Sequence, residues 1–374
     1  MTTTPLFLAL VAILVVTLGA HLLSAALAAL RYRAAPPAGR DDDLPFVSLV
    51  RPVCGVDAFD EETLASSFRQ DHPHYEVIFC APSEADAAVP LVRRLIAAHP
   101  HVKARLLCGE TAISGNPKLN NLYKGYAQAL GRRVVMTDSN LLLPRNYLRT
   151  LCFTWRSDTG LVSSPPAGIR PGNLWGAVEC AFLNGSQGRW QLAADSIGMG
   201  FAQGKTLCWD RDILEAGGSL QALGRNLAED VASTKLVRAQ GLRVRLTPTL
   251  FAQPIGKRSA RAVWDRQLRW SRVRRDGFPL IFVAEIMQGP LIPLAALGVL
   301  AGLGAAPLWS IPVLQTVWYG AELALCRKAG WPAGLRDLAA MLVRDALLPA
   351  LWVATWAGRG ITWRGTDMAP AAAE

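Results

Sequence analysis

The sequence predicts an α/β domain that is flanked at both ends by membrane-spanning helices. Hydrophobic residues make up 51% of the 374 residues and charged residues only 18%, whereas a soluble domain carries about 25% charged residues. Long apolar blocks lie near both ends of the chain. Between them, short runs rich in Val, Ile and Leu alternate with helical patterns, which is typical of a parallel, doubly wound sheet.

Charge and cysteine content narrow the class of protein. Lys and Arg total 39 against 29 Asp and Glu, a surplus of 39 − 29 = 10 positive charges. In an apolar chain this surplus points first to anionic lipid headgroups or a phosphorylated substrate, and we expect no nucleic-acid partner. The seven cysteines have no CxxC spacing and favour neither a disulfide framework nor a zinc site. A disordered chain and an all-soluble enzyme are both disfavoured.

The first apolar block, Leu6–Leu30, contains no charged residue. As a helix it would be roughly 37 Å long, enough to cross a hydrocarbon core of about 30 Å. A cleaved signal peptide is the alternative, but no basic residues precede the block and it exceeds the usual length of about 7–15 residues. Arg31, Arg33 and Arg40 follow, which places the downstream side of the membrane in the cytoplasm.

The second apolar block predicts further spans near the other end of the chain. Ile286–Ala306 and Pro307–Leu325 are joined by a short Gly/Ala/Pro turn, so we expect a helical hairpin. Leu338–Ala357 is a third candidate, interrupted by Arg344 and Asp345. These two charges indicate either a buried ion pair within a span or a helix that lies in the interface.

The region between the blocks predicts the α/β domain. Helical patterns cover Ala87–Ala98 and Leu119–Leu130. The predicted strands are 46–53, 75–81, 102–108, 132–138 and 160–166. We divide the chain into an N-terminal anchor (1–33), the cytosolic α/β domain (40–258), an amphipathic interfacial helix (259–278), C-terminal membrane helices (279–358) and a tail (359–374).

Ligands of open α/β sheets bind beyond the carboxyl ends of the strands, which directs attention to Asp138. This residue ends the strand VVMTD and is followed by Ser139 and Asn140. An acid with an oxygen ligand two residues on suits a divalent cation that neutralises a diphosphate. The alternative is that Asp138 only starts a turn or caps a helix.

Lys118 opens a helix in the segment Asn116-Pro117-Lys118. A lysine at a helix N-terminus opposes the macrodipole unless an anion is bound there. The residue is therefore a candidate phosphate contact, with a solvated surface lysine as the alternative.

Glu229 and Asp230 lie at the start of another predicted helix, near Leu227. The helix dipole alone accounts for acids in a first turn. The functional interpretation is that a carboxylate faces the cleft and acts as general base for a hydroxyl nucleophile.

The segment Lys257–Arg275 holds eight basic residues interleaved with aromatic and aliphatic ones. It is consistent with an amphipathic helix in the membrane interface. It is also consistent with a clamp for a diphosphate, built from Arg266, Arg269 and Trp270. A glycine-rich stretch that ends at Lys205 imitates a P-loop, but the position of its first glycine is Met199, and a strand follows instead of a helix.

Taken together, the motifs resemble the ceramide glucosyltransferase family, membrane-bound inverting glycosyltransferases of the GT-A fold. The resemblance runs from about Phe46 to Ala260 and beyond. The motifs that carry it are RPVCGVD (51–57), YEVIFC (75–80), GNPKLNNLYKGY (115–126), DSN (138–140), LEAGGSL (214–220), AED (228–230), RQLRW (266–270) and TWRG (362–365).

The resemblance implies roles for individual residues. Asp138 would hold the metal, Mg²⁺ or Mn²⁺, and the phosphates of the sugar nucleotide. Asp230 would be the catalytic base, and the three RQLRW residues named above would contact the diphosphate and the acceptor. Two positions depart from the family pattern. Ser83 replaces an aspartate, which leaves Asp86 or Glu84 to hold the nucleotide, and Asn140 replaces a second acid, so that metal binding depends mainly on Asp138.

The implied activity is transfer of glucose from UDP-glucose to the primary hydroxyl of ceramide, with inversion to β-hexosylceramide. Alternative acceptors are a hopanoid or diacylglycerol, and alternative donors are UDP-galactose, UDP-glucuronate and UDP-N-acetylglucosamine. From another class, an inactive membrane scaffold that binds lipid or nucleotide stays open. The expected location is a bacterial inner membrane, with the catalytic domain on the cytoplasmic side.

Overall fold

The computed structural model describes residues 4–32, 39, 43–226, 228–358, 361–363 and 366–368. The strands in these residues are β1 (Val47–Pro52), β2 (Tyr75–Ala81), β3 (Ala104–Cys108), β4 (Arg133–Thr137), β5 (Thr159–Ser163), β6 (Pro166–Pro171), β7 (Thr206–Asp210), β8 (Arg243–Leu246), β9 (Phe251–Gly256), β10 (Ile361–Trp363) and β11 (Thr366–Met368).

The α-helices alternate with these strands and then dominate the second half of the chain. They are α1 (Thr4–Arg31), α2 (Asp60–Ala65), α3 (Ala88–Ala98), α4 (Pro117–Gln128), α5 (Tyr147–Thr154), α6 (Leu174–Ala181), α7 (Arg189–Ser196), α8 (Arg211–Ala216), α9 (Ser219–Leu223), α10 (Glu229–Ala239), α11 (Ala260–Gly277), α12 (Pro279–Ala284), α13 (Leu291–Gly302), α14 (Ser310–Ala329) and α15 (Leu335–Ala357). A π-helix, Phe182–Gly188, joins α6 to α7.

The chain divides into two compact units. The sheet unit comprises Ala34–Ala167, Ala194–Pro254 and Gly360–Glu374, and the helical unit comprises Met1–Arg33, Gly168–Ala193 and Ile255–Arg359. The strands β6 and β9 pair with each other in a sheet of their own.

The sheet unit contains a seven-stranded sheet in the order β3-β2-β1-β4-β7-β5-β8. The five predicted strands form β1 to β5, and β2 has the predicted bounds. The strand pairs are parallel, as predicted, except at β7, which runs antiparallel to both β4 and β5.

Side chains alternate between two buried layers along each central strand. Leu49 packs with α2, α3 and α5 in one apolar cluster. Val50 packs with α4 and α8 to α10 in the other. Because both faces are covered, the strands are continuous apolar runs, which is why they were visible in the sequence.

The helical unit contains the candidate membrane spans. Within the described part of the chain, Pro5–Arg31 and Leu335–Ala357 are long and apolar enough to cross a membrane. A third candidate is the pair Pro279–Gln288 and Leu291–Gly302, which is bent by 53°. The bend lies at Pro290, which lacks the amide hydrogen that a continuous helix needs.

The predicted hairpin therefore differs from the structure. Its second half forms α14, which is long enough but not apolar enough to count among the candidate spans, because Gln315, Glu322, Arg327 and Lys328 lie along it. For the third predicted span, the structure favours the buried ion pair. Arg344 lies 2.8 Å from Asp345 and also pairs with Glu322, and all three residues are buried.

Candidate active site

Asp138 directly follows β4, as predicted, and its side chain is 23% exposed. The loop that carries it is held by Arg51, a fully buried residue of β1. The Nη2 atom of Arg51 donates to the carbonyl oxygens of Asp138 and Ser139, both at 2.8 Å, and of Leu141 at 2.9 Å. One guanidinium therefore fixes the backbone of the loop that carries the candidate metal ligands Asp138 and Asn140.

Two lysines flank the carboxylate of Asp138. The Nζ atom of Lys118 lies 2.6 Å from Oδ1, and that of Lys205 lies 2.8 Å from Oδ2. Lys205 also donates to Oδ1 of Asn140 at 3.0 Å. Burial alone would raise the pKa of Asp138, but the two ammonium groups outweigh it and hold the pKa well below its usual range.

Lys118 also connects this loop to α10. Its Nζ donates to Oε1 of Glu229 and to the carbonyl of Gly204, both at 2.6 Å. The second oxygen of Glu229 accepts from Nδ2 of Asn116 at 2.9 Å, and Asn116 caps α4 through the amide of Lys118. Burial tends to lower the pKa of Lys118, but the acids around it raise it above its ordinary value, so the side chain stays charged.

Asp230 is the neighbour of Glu229 in the first turn of α10 and is mostly buried. Its Oδ1 accepts from its neighbour's amide, that of Val231, at 2.8 Å, and its Oδ2 from the amide of Gly204 at 3.3 Å. Burial, and then the charge of Glu229, raise the pKa of Asp230 to about 6. The carboxylate is therefore a stronger base than an ordinary aspartate and is still ionised at neutral pH.

Gly204 leaves the room that this arrangement needs. A Cβ atom at this position would lie 2.7 Å from Oε1 of Glu229 and 3.6 Å from Nζ of Lys118. We call the assembled group the acid–lysine cluster: Lys118, Asp138, Asn140, Lys205, Glu229 and Asp230.

The oxygens of Asp138 and Asn140 are of the type that Mg²⁺ and Mn²⁺ take. Such ions are commonly bound through one or two carboxylates and completed by substrate phosphates. In the described residues, no three His, Cys, Asp or Glu side chains are grouped to hold a metal by themselves. The donor set therefore fits a cation that a diphosphate helps to bind, and Lys205 bridges the same two side chains here.

Asp86 has different contacts from those of the cluster. Its carboxylate accepts from the amide of Gly55 at 3.0 Å and 3.1 Å and from that of Ala88 at 2.8 Å. The side chain thus ties the loop after β1 to the start of α3. Gly55 has a φ of 67°, a conformation that favours glycine.

The RQLRW residues lie on α11, in the helical unit. Arg266 pairs at 2.8 Å with Glu179, which is almost fully buried. The guanidinium carbon of Arg266 lies 5.9 Å from the centre of the Trp270 ring. Arg269 follows one turn after Arg266 on the same helix. Arg266 thus has a buried carboxylate as its partner.

Lys205 was not predicted as a site residue, and Glu229 was considered only beside Asp230 as a carboxylate at a helix start. Lys205 precedes β7, whose antiparallel register places Thr206 beside Thr137 at the end of β4. This register brings Lys205 next to Asp138 across 67 residues of sequence. The only local signal was the position of Lys205 directly before a strand. This position indicates a site residue only when the direction of β7 is known.

The comparisons with known proteins agree with this architecture. The profile of glycosyl transferase family 21 matches residues 4–371. Ceramide glucosyltransferase 3 of Caenorhabditis elegans is 26% identical over 346 residues, which are 89% of this chain and 74% of that protein. Ceramide glucosyltransferase 1 of the same organism is 27% identical, over 66% of this chain and 54% of that protein.

A solved structure shows the same fold over most of the chain. A mannosyltransferase from Pyrobaculum calidifontis, in complex with GDP-Man and Mn²⁺, has a TM-score of 0.58 and 20% identity, and the match covers 91% of this chain and 99% of that one.

The fold and the comparisons define a GT-A glycosyltransferase with membrane-associated helices, as the sequence predicted. The chain belongs to glycosyl transferase family 21. Its class of activity is that of a UDP-sugar-dependent glycosyltransferase.

Proposed function

We propose that the protein transfers a hexose, glucose from UDP-glucose, to the primary hydroxyl of ceramide and forms a β-hexosylceramide. Family membership and the names of its relatives support this class of donor and acceptor. The observation that carries the proposal is the mostly buried carboxylate of Asp230, whose pKa is raised to about 6 beside a charged cluster.

Asp230 acts as the general base. The acceptor oxygen attacks the anomeric carbon, its proton passes to the carboxylate, and the bond from that carbon to the UDP oxygen breaks with its electron pair on UDP. Attack opposite the leaving group inverts the anomeric centre. A base whose pKa lies just below the working pH is ionised and still accepts a proton readily.

The rest of the acid–lysine cluster serves the leaving group. Lys118 and Lys205 supply positive charge beside Asp138, which favours a diphosphate in the same place. A bound divalent cation, held by Asp138 and Asn140, would neutralise further charge on the UDP. Arg266, Arg269 and Trp270 are proposed to contact the diphosphate and acceptor, and a role of Asp86 in holding the nucleotide stays a prediction.

The proposed location follows from the basic residues after the first span. It is a bacterial inner membrane, with the catalytic domain on the cytoplasmic side, where UDP-sugars and the inner leaflet are both accessible.

The test is expression in a host that contains ceramide and several UDP-sugars, followed by mass spectrometry of lipid extracts. The intact protein should yield a new hexosylceramide, and Asp230→Asn should not. Asp71→Asn, an exposed acid of the same unit that pairs with Arg149, is the matched control. A new glycolipid with another backbone would replace ceramide as acceptor, and no new lipid despite membrane insertion would favour the scaffold.

A further inference from the structure

A small cavity in the helical unit is lined by polar groups that the proposed chemistry does not use. Its volume is about 20 Å³, and it lies between the π-helix, α11, α12 and α15. Gln187, Gln267 and Ser271 form its polar wall. Phe282, Leu351 and Trp352 form an apolar wall.

Two glutamines face each other in this cavity and each is half satisfied. Nε2 of Gln187 donates to Oε1 of Gln267 at 3.0 Å. The remaining atoms, Oε1 of Gln187 and Nε2 of Gln267, are buried and have no hydrogen-bond partner. Gln267 is only 2% exposed. Buried amide atoms are rarely left in this state unless a ligand or water completes them.

The unpaired atoms offer one acceptor and one donor. Reversing both side-chain amides exchanges the two roles but again leaves one acceptor and one donor. A group that satisfies both must offer a hydrogen-bond donor and an acceptor, which among lipids narrows the choice of linkage between the acyl chain and the backbone. A secondary amide does so, whereas an ester or an ether has no N–H.

The charges around the cavity are already paired, so the site suits a neutral group. Arg274, which lines it, makes two hydrogen bonds to Glu285, at 2.7 Å and 2.9 Å, and a third to Ser271. A phosphate or carboxylate would have to compete with Glu285 for that guanidinium. A neutral amide leaves the ion pair intact.

The surface beside the cavity is suited to lipid chains. Phe282 is buried, but its neighbours on α12 point outward, and Leu280, Ile281 and Val283 are 86%, 58% and 50% exposed. Three exposed aliphatic side chains on one short helix, in the unit that holds the candidate spans, favour contact with hydrocarbon.

We propose that Gln187 and Gln267 bind the N-acyl amide of the acceptor lipid and thereby select an amide-linked lipid over an ester-linked one. This inference rests on the proposed function, because it assigns the acceptor class of that reaction. Gln267 is a specificity-determining residue in this account, and Asp230 remains the base.

The test measures binding and transfer separately. Full-length protein in phosphatidylcholine vesicles is given a fluorescent ceramide, which is displaced by short-chain ceramide, its N-methyl derivative or diacylglycerol. Wild type should bind ceramide at least about tenfold more tightly than the other two, because a site built for an N–H rejects analogues without it. Gln267→Leu and Gln187→Leu should remove this preference, and Gln315→Leu, an exposed glutamine of α14, should keep it.

The outcomes separate the two proposals. Equal binding of the three lipids to wild type, or an unchanged preference in both glutamine variants, overturns the amide site. A parallel loss for all three lipids would also overturn it, since this is what a merely structural pair predicts. Selective binding of ceramide without any sugar transfer would keep the amide site and remove the proposed reaction.

Discussion

The Nζ atom of Lys205 lies 2.8 Å from Oδ2 of Asp138 and 3.0 Å from Oδ1 of Asn140. One ammonium group thus joins the two oxygen donors that the sequence predicts for a metal ion. A cation that binds to the same oxygens must compete with this lysine. Because the competing group is a side chain of the protein, the competition can be tested by mutating Lys205.

Lys205→Met should tighten the binding of Mn²⁺ to the protein without donor. Removing the ammonium frees one oxygen of Asp138 and the oxygen of Asn140, and we expect the Kd to fall by about tenfold. Electron paramagnetic resonance of free Mn²⁺ measures this directly. Lys103→Met, at an exposed lysine, is the control, and an unchanged affinity for Mn²⁺ in Lys205→Met would contradict the prediction.

Asp230→Asn should lower kcat by about 10²- to 10⁴-fold, the usual contribution of a general base. The KM for the donor should change little, because Asn keeps the shape of the side chain. Steady-state kinetics with Asp71→Asn alongside checks both values. An Asp230→Asn enzyme with near-normal kcat would eliminate Asp230 as the base.

The rate should fall in acid as Asp230 becomes protonated. Because burial and Glu229 raise the pKa of Asp230 to about 6, kcat/KM should drop tenfold for each unit of pH below about 6. The residual activity of Asp230→Asn should lack this limb. A wild-type profile that is flat down to pH 4.5 would show that no group of this pKa controls the reaction.

The same raised pKa predicts a stability cost. A carboxyl whose pKa is higher in the folded than in the unfolded state loses stability as pH rises between the two values, here from about 4 to about 6. Asp230→Asn should therefore raise the free energy of unfolding at pH 7 by about 1–3 kcal/mol, and with it the Tm, while it removes most of the activity. Thermal unfolding at pH 4 and pH 7 checks this, since the gain should shrink at pH 4.

Arg51→Lys should destabilise the loop that carries Asp138. Nη2 of Arg51 donates to three loop carbonyls, and Nη1 donates to the carbonyl of Thr63 and the hydroxyl of Ser67. A single lysine ammonium cannot reach all five acceptors. We expect a loss of about 2–4 kcal/mol and weaker donor binding. Thermal unfolding and titration with UDP measure the two effects, and Arg69→Lys is the control. A near-normal Tm would mean that the hydrogen bonds of Arg51 do not stabilise this loop.

The strands and Asp138 were predictable because their signals are local. A strand buried on both faces is a continuous apolar run, and the end of β4 is visible where VVMT meets Asp138. Lys118 and Asp230 were found by the same reasoning, from residues at helix starts. The structure places both residues in the acid–lysine cluster. Their roles in catalysis stay predictions.

The contacts of Lys205, Glu229 and Asp86 were not predictable, because they depend on long-range register. Lys205 reaches its partner through the direction of β7, and Asp86 is bonded to backbone amides that no sequence pattern identifies. The hydrophobic pattern of α14 predicted a span, but the pattern did not weigh its polar residues.

The π-helix that ends at Gly188 has a consequence for comparisons between relatives. Its wider turns change the angular position of every residue that follows, and in an α-helix each residue corresponds to about 100° of rotation. Deleting one residue of the π-helix before Gln187 would rotate Gln187 to another side of the helix while leaving the sequence of α7 intact. In a relative with one residue fewer in this segment, an ungapped alignment would therefore equate side chains that face different directions, and acceptor preference should be compared only after the gap is placed.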